Sequence, residues 1–365
     1  MEDISIVVNG TDIAPAVTSA SLSSSLDTLG NKFIFQIPYS DLARYNIAPM
    51  QIGDDVRLWA DGLSPFIGII TKTSHTENAR TYTCYDPCWY LNKSQITMQF
   101  TGVTIREAVI SLMEECGINP SMVSDIAATV DETCYLETPA KILDKLLERA
   151  RDVTGHRYHA YYGGFRRVNV EEVGSRSAGV VLVELVSPQR EESIEDVRNR
   201  IKYISGDNTG YYDTGISAED ADSIAKYGVM QELIVAEEED TDANAIVNNR
   251  LLQKKTPVPK ASLECAGSWV PRCGQRITLE EPITGISGEW LLEGIDHTLA
   301  NGEHRMKLSL SAYSATQTYE ETIAEEVQAE SERKQYEGRG LSGGGVSSDY
   351  TQKLFGDYVN IFGAG

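Results

Sequence analysis

The chain has 365 residues, 41% hydrophobic and 24% charged, and a net charge of −22 from 54 acidic and 32 basic residues. That length exceeds one ordinary core and points to two or three domains of roughly 100–200 residues each. The acidity speaks against a protein that grips nucleic acid through its phosphates, and no stretch reaches the ~20 continuous apolar residues of a membrane span.

No sequence-specific nucleic-acid binding and no membrane insertion of its own are therefore expected. The negative surface serves solubility alone, or lets DNA pass without sticking. The start, MEDISIVVNG, is acidic and lacks the basic region of a secretory signal, which implies assembly in the cytoplasm.

In chain order, residues 1–95 read as all-β. KFIFQIP places Phe33, Phe35 and Ile37 on one strand face, and DDVRLW alternates Val56 and Leu58 before a turn at Gly62. FIGIITKT and RTYTCYD make a hairpin around a polar loop at 74–78. Short strands between turns suggest a small barrel or sandwich. Residues 96–200 change to an α+β pattern. Thr104 and Glu107 form a capping box ahead of an apolar stripe through Ile105, Ala108, Val109, Leu112 and Met113, and Gly117 stops that helix. Thr138 and Pro139 open a second helix with Ile142, Leu143, Leu146, Leu147 and Ala150 on its buried side, ended at Gly155. A hairpin turned at Gly163 and Gly164 follows, then a valine-rich strand (GVVLVELV) and a charged connector.

Residues 201–315 return to β structure with helices. Ser217 and Asp220 open a short helix; Ala243, Val247, Arg250 and Leu251 lie on a longer one, ended by Pro257 and Pro259. Strands are expected around RITLEE, EWLLEGIDHTLA and EHRMKLSLSAY. Residues 316–349 combine an acidic, helix-prone stretch with a Gly/Ser-rich linker. Residues 350–365 gather Leu354, Phe355, Tyr358, Val359, Ile361 and Phe362, which read as a partner-docking peptide or as a frayed terminus.

A partial internal repeat is the most informative feature. Gly53 is followed by Val56 and Leu58; Gly274 is followed by Ile277 and Leu279 at the same offsets. A Gly-containing turn comes next in each copy (Gly62; Gly285), then a second glycine (Gly68; Gly288), a polar loop and a returning alternating strand. Glycine permits positive φ and close strand packing, so Gly53, Gly68, Gly274 and Gly288 are read as barrel-corner residues. The expected fold class is β-rich α+β: two similar small, tube-like β-barrels with an α+β domain between them.

At these residues the chain resembles a known family. GDDVRLWADGLSPFIGIITKTSHTENARTYTCYDPCWYLNKS, with Tyr82, Asp86, Pro87, Tyr90 and Leu91 in a Y-x4-D-P-x2-Y-L pattern, looks like the first barrel of the late-control D and XkdQ-like tail proteins. SIAKYGVMQELI, PVPKASLECAG and GISGEWLLEGIDHTLANGEHRMKLSL, with His297 and His304, resemble the approach to the second barrel and its closing strands. The resemblance covers about residues 30–313. It implies a baseplate hub of a contractile phage tail or phage-tail-like bacteriocin (a tailocin). Three copies would form a ring whose six barrels meet a hexameric tail tube on one side and a trimeric central spike on the other. The implied partners are the homotrimer itself, the tail tube protein, the spike, a LysM-type tail protein, baseplate wedge proteins and the tape measure protein. The implied place is the virion or tail-like particle, assembled in the host bacterial cytoplasm.

The HExxH and P-loop catalytic patterns are missing. The six cysteines lack paired metal-site spacing, and Cys84, Cys88 and Cys116 read as buried structural thiols. His156 and His159 form H-x-x-H, but strand alternation separates residues three apart. His297 and His304 are expected to meet across a hairpin as a structural pair. No cofactor, metal or catalytic residue is predicted. The competing readings are a cell-wall-degrading tail enzyme, which needs clustered acid–base groups, and a host-binding tail protein, which needs exposed aromatics.

Overall fold

The computed structural model describes residues 4–45, 47–164, 167–180, 182, 184–207, 210–236 and 242–313. The candidate docking residues 354–362 lie outside this set. The first part of the chain contains β1 (Ile4–Val8), β2 (Thr11–Asp12), β3 (Ser19–Ser25), β4 (Thr28–Pro38), α1 (Tyr39–Arg44), β5 (Asp55–Ala60), β6 (Leu63–His75) and β7 (Ala79–Tyr85). The middle part contains β8 (Ile96–Thr104), α2 (Ile105–Glu115), β9 (Asn119–Val123), β10 (Thr129–Glu137), α3 (Pro139–Thr154), β11 (Tyr158–Gly164) and β12 (Arg167–Glu172). The last part contains β13 (Val186–Glu191), β14 (Arg200–Asp207), β15 (Gly210–Glu219), α4 (Ala221–Tyr227), β16 (Gln231–Ala236), α5 (Ala243–Lys254), β17 (Lys260–Ala266), β18 (Arg276–Glu281), β19 (Ile286–Ala300) and β20 (Glu303–Ala312).

The fold is β-rich α+β. Among the described residues, twelve strands form one sheet in the order β13-β17-β20-β19-β3-β4-β7-β6-β5-β1-β2, with β18 also on β19. Alternation explains the first half. Phe33, Phe35, Ile37, Val56, Leu58, Ile70, Tyr82 and Cys84 all point to one face and share one core. A second core is built from Leu263, Cys265, Ile277, Leu279, Leu292, Ile295, Met306, Leu308 and Leu310. No described strand pairing closes either half into a ring.

The middle part has its own core. The capping box forms: Thr104 Oγ1 accepts from Glu107 N at 3.2 Å, and Glu107 Oε2 accepts from Thr104 N at 3.0 Å. Ile105, Ala108, Val109, Leu112 and Met113 are buried against Ile142, Leu143 and Leu146 of α3. Thr138 caps α3 and Gly155 ends it in the left-handed region. Three strands here were not anticipated. β8 pairs β10, and β9 runs parallel to β12. Their sequences bury few residues, Phe100 on β8 and Val130 and Cys134 on β10, so the alternation that marks a strand is weak and tertiary packing decides.

Two expectations are corrected. The described residues 179, 180, 182, 184 and 185 of GVVLVELV do not form the expected strand. The strand assigned nearby, β13, begins at its last residue, Val186. Val180, Leu182 and Leu185 instead cover the second core as irregular backbone, because apolar content drives burial without requiring a hydrogen-bonded neighbour. Ser217 lies on β15, and only Asp220 caps α4, accepting from Ser223 N at 2.8 Å.

Candidate functional site

The internal repeat extends to individual backbone hydrogen bonds. Before β5, Gln51 N donates to Asp54 Oδ2 (2.7 Å), Asp54 N to Gln51 O (3.2 Å), Gly53 N to Ile70 O (2.8 Å) and Ile70 N to Asp54 O (3.0 Å). Before β18, Arg272 N donates to Gln275 Oε1 (3.0 Å), Gln275 N to Arg272 O (3.3 Å), Gly274 N to Leu292 O (2.8 Å) and Leu292 N to Gln275 O (3.0 Å). The following strands make the same meander: β5-β6-β7 in one copy and β18-β19-β20 in the other. A register shift falls between Ile70 and Lys72 and, at the equivalent place, between Leu292 and Gly294. The next strand also matches. Phe33, Phe35 and Ile37 oppose Cys84, Tyr82 and Arg80, as Ala261, Leu263 and Cys265 oppose Leu310, Leu308 and Met306. Finally, β3 flanks β4 as β13 flanks β17.

The four glycines divide unevenly over this repeat. Gly53 and Gly274 occupy the same turn position, with φ of 98° and 84°. Gly68 and Gly288 are not equivalent. Gly68 opposes Val56, whereas Gly288 opposes Leu279, so the counterpart of Gly68 is Trp290 and that of Gly288 is Phe66. The sequence comparison was two residues out of register here. Gly68 sits where a Cβ would lie 2.2 Å from the Tyr85 carbonyl oxygen; Gly288 has φ 94° and open space.

The two copies differ in what they carry. β3 and β4 are joined by residues 26 and 27 alone, while β13 and β17 are separated by residues 192–259, which include β14, β15, α4, β16 and α5. This insertion packs on α3. Arg250 Nη2 donates to Asp152 Oδ1 at 2.6 Å, and Asn249 Nδ2 to Val153 O at 2.9 Å.

A seam joins the copies. The C-terminal half of β19 pairs with β3 from Gly294↔Ser25 to Ala300↔Ser19. Trp269, in the loop after β17, is only 6% exposed and belongs to the first copy's core. It stacks on His297 (4.6 Å) and His304 (4.2 Å), whose Nδ1 and Nε2 stand 3.1 Å apart. Burial, and then His304, pull the His297 pKa down to about 3. The middle part is keyed to the same seam. Arg157 Nη1 reaches both Glu293 carboxylate oxygens at 3.0 Å, and its Nη2 lies 3.5 Å from Asp27. Glu293 is the bulged residue of β19, and its carbonyl accepts from Leu26 N at 2.9 Å.

The histidine pair predicted across the hairpin is thus brought together, with Trp269 as a partner that carried no local signal. His156 and His159 have separate partners: His156 meets Glu172 at 2.9 Å, and His159 stacks on Tyr161 at 5.2 Å. Cys84 and Cys88 face different cores. Tyr82 enters the first core, Leu91 the middle one, and Asp86 lies buried between them. The Asp86 carboxylate accepts from Asn31 N (2.8 Å) and Cys88 N (2.9 Å); burial outweighs these bonds and raises its pKa to about 6. Among the described residues, no group of three or more His, Cys, Asp and Glu is arranged to hold a metal ion.

The YQBQ-like family profile matches residues 20–311. The uncharacterized protein YqbQ of Bacillus subtilis is 23% identical over 276 residues, covering 71% of this chain and 81% of that protein. Among solved structures, the 43 kDa tail protein of prophage MuSo2 from Shewanella oneidensis shares the fold at a TM-score of 0.65 and 17% identity, covering 85% of this chain and 98% of that one. The E. coli c3393 protein, a type VI secretion component described as similar to the T4 tail proteins gp27 and gp5, matches at 0.53 and 13% identity, covering 86% and 78%.

Proposed function

The chain belongs to the YQBQ-like family, and from that premise we propose that it is a structural baseplate hub of a contractile phage tail or phage-tail-like bacteriocin, working as a homotrimer. The observation that carries this reading is the repeat. One polypeptide presents two modules with the same strand order, register, bulge and entry turn. Three such chains give six like modules around a threefold axis. That arrangement suits a ring between a hexameric tail tube and a trimeric spike, since closed symmetry covers open strand edges. Tube-like barrels as the working form of the modules, and domain boundaries at 95, 200, 315 and 349, belong to the same proposal.

The shared fold with a prophage tail protein and with a secretion component likened to tail proteins supports a role in a tail rather than catalysis. The tube, spike, LysM-type, wedge and tape measure proteins are the proposed neighbours. The apolar residues Leu354, Phe355, Tyr358, Val359, Ile361 and Phe362 are the proposed docking peptide. Native mass spectrometry of the chain co-expressed with its tube and spike neighbours tests the reading. Three copies per complex are expected, and one or two copies in a saturated complex would refute it.

A further inference from the structure

The seam that joins the two modules inside one chain has a counterpart with one side missing. The second half of β19 pairs with β3. Under the repeat, β6 corresponds to β19 and β13 to β3. Yet from Lys72 to His75 β6 pairs only with β7, and β13 pairs only with β17, among the described residues. We propose that these two free edges meet between copies of this chain: β6 of one copy pairs antiparallel with β13 of the next, with His75 opposite Arg190. The proposal rests on the homotrimer reading and supplies its contact.

The register follows from the pairing within the chain. Ser74 and His75 correspond to Asp296 and His297, and Glu191 and Arg190 to Ser23 and Leu22. The seam sets Asp296 opposite Ser23 and His297 opposite Leu22, which transfers to Ser74 opposite Glu191 and His75 opposite Arg190. The backbone phase of each free edge agrees independently. Thr76 N donates to Ala79 O at 2.9 Å, so alternation turns the backbone groups of Ser74 toward β7 and those of Thr73 and His75 toward the free edge. Ala312 N donates to Pro259 O at 2.8 Å, so Ala261 bonds to β20, while Lys260 and Ser262 bond to β13. Arg190, opposite Ala261, therefore turns its own N–H and C=O outward. His75 and Arg190 can exchange both backbone bonds, and a register one residue off could not.

The side chains at the two places differ as a covered and an uncovered edge should. At the seam, His297 and Trp269, in the segment after β17, are 5% and 6% exposed. At the free edge, His75 is exposed, and so is Tyr39, in the segment after β4, at 58%. Lys72 shares a face with Ser74 and would lie diagonal to Glu191 of the next copy, within reach of an ion pair. The charge of Arg190 is already engaged by Glu192 (2.5 Å) and the Gly285 carbonyl (3.0 Å). Thr73 stands where β19 has Ile295, and polar or charged side chains of this kind keep an edge strand from pairing indiscriminately.

The test is oxidative cross-linking of the full chain carrying Ser74→Cys and Glu191→Cys, co-expressed with its tube and spike neighbours. These residues would form a non-hydrogen-bonded pair, where opposing side chains stand closest. Covalent dimers and trimers are expected on non-reducing gels. They should be absent from each single variant and from Ser74→Cys with Thr278→Cys, whose second cysteine lies on β18. Both Ser74 and Glu191 are exposed, so the fold should survive, which circular dichroism and the melting temperature check. His75→Pro, which removes one outward donor, should lower the trimer content of the complex at least tenfold with the same melting temperature. Three copies by native mass spectrometry without cross-links, or with equal cross-linking in the Thr278 control, would overturn the strand pairing and leave the trimer standing. Fewer than three copies in a saturated complex, without cross-links, would overturn both.

Discussion

The two modules share a scaffold and differ in their burden. The first runs from β3 to β4 through a two-residue turn and has its outer strand β5 covered by β1. The second accepts 68 residues (192–259) at that same turn and still keeps register, bulge and entry turn. A strand-to-strand turn on the surface tolerates a whole inserted unit, because lengthening a loop costs little once the flanking strands are paired. Backbone pairing inside the meander tolerates far less, since a one-residue slip would turn every core side chain outward.

The sharpest way to probe the likeness is at the glycines. Gly68→Val should be the most damaging single change, with a loss on the order of 3 kcal/mol or more, because its side chain would collide with the Tyr85 carbonyl and the Phe66 ring. Gly288→Ala meets open space and only the strain of a positive φ, a cost of about 1 kcal/mol. Thermal or urea unfolding of both variants checks the ranking. Equal losses would contradict the difference in space around the two glycines.

The next largest effect should come from cutting the insertion loose. Asp152→Ala leaves Arg250 with its secondary partners Glu148 (3.6 Å) and Glu232 (3.4 Å), so the loss should fall somewhat below the roughly 3–5 kcal/mol of a fully stranded buried charge. Hydrogen exchange should quicken in β14–β16 and α5 before it does in either meander. Uniform loss of protection would show that the insertion and the modules are one cooperative unit.

The smallest expected effect is a pH dependence at the seam. His297 binds its proton less readily folded than unfolded, its pKa falling from 6.5 to about 3. Its contribution to stability is therefore complete above about pH 6.5 and declines as the pH falls toward 3, with a slope of at most about 1.4 kcal/mol per pH unit. His297→Gln should flatten the melting-temperature profile between pH 6 and 4 relative to the parent. An unchanged profile would assign the acid sensitivity to other groups.

Much of this was legible in the sequence where the signal is local. Phe33, Phe35 and Ile37 mark a buried strand by alternation alone, and Thr104 with Glu107 announces the start of α2. The turn at Gly274 could be recognised from Gly53 because the following apolar offsets are identical. What escaped was set by distance in the chain. The β3–β19 pairing joins segments about 270 residues apart, and Trp269 meets His297 only because β17 and β19 share a sheet. Matching Gly68 to Gly288 failed because the β5–β6 turn has two residues and the β18–β19 turn four. Glycine identity was aligned there, while backbone pairing follows the strand register.

The central claim is that one chain carries two equivalent modules so that three chains can surround a tail axis as six. Electron cryomicroscopy of the assembled particle tests it most directly. The account predicts a ring at the end of the tail tube in which the β3–β7 and β13/β17–β20 modules of three chains alternate at near-sixfold positions. Density for this chain away from the axis, or on the axis with only one of its modules in the ring, would contradict it.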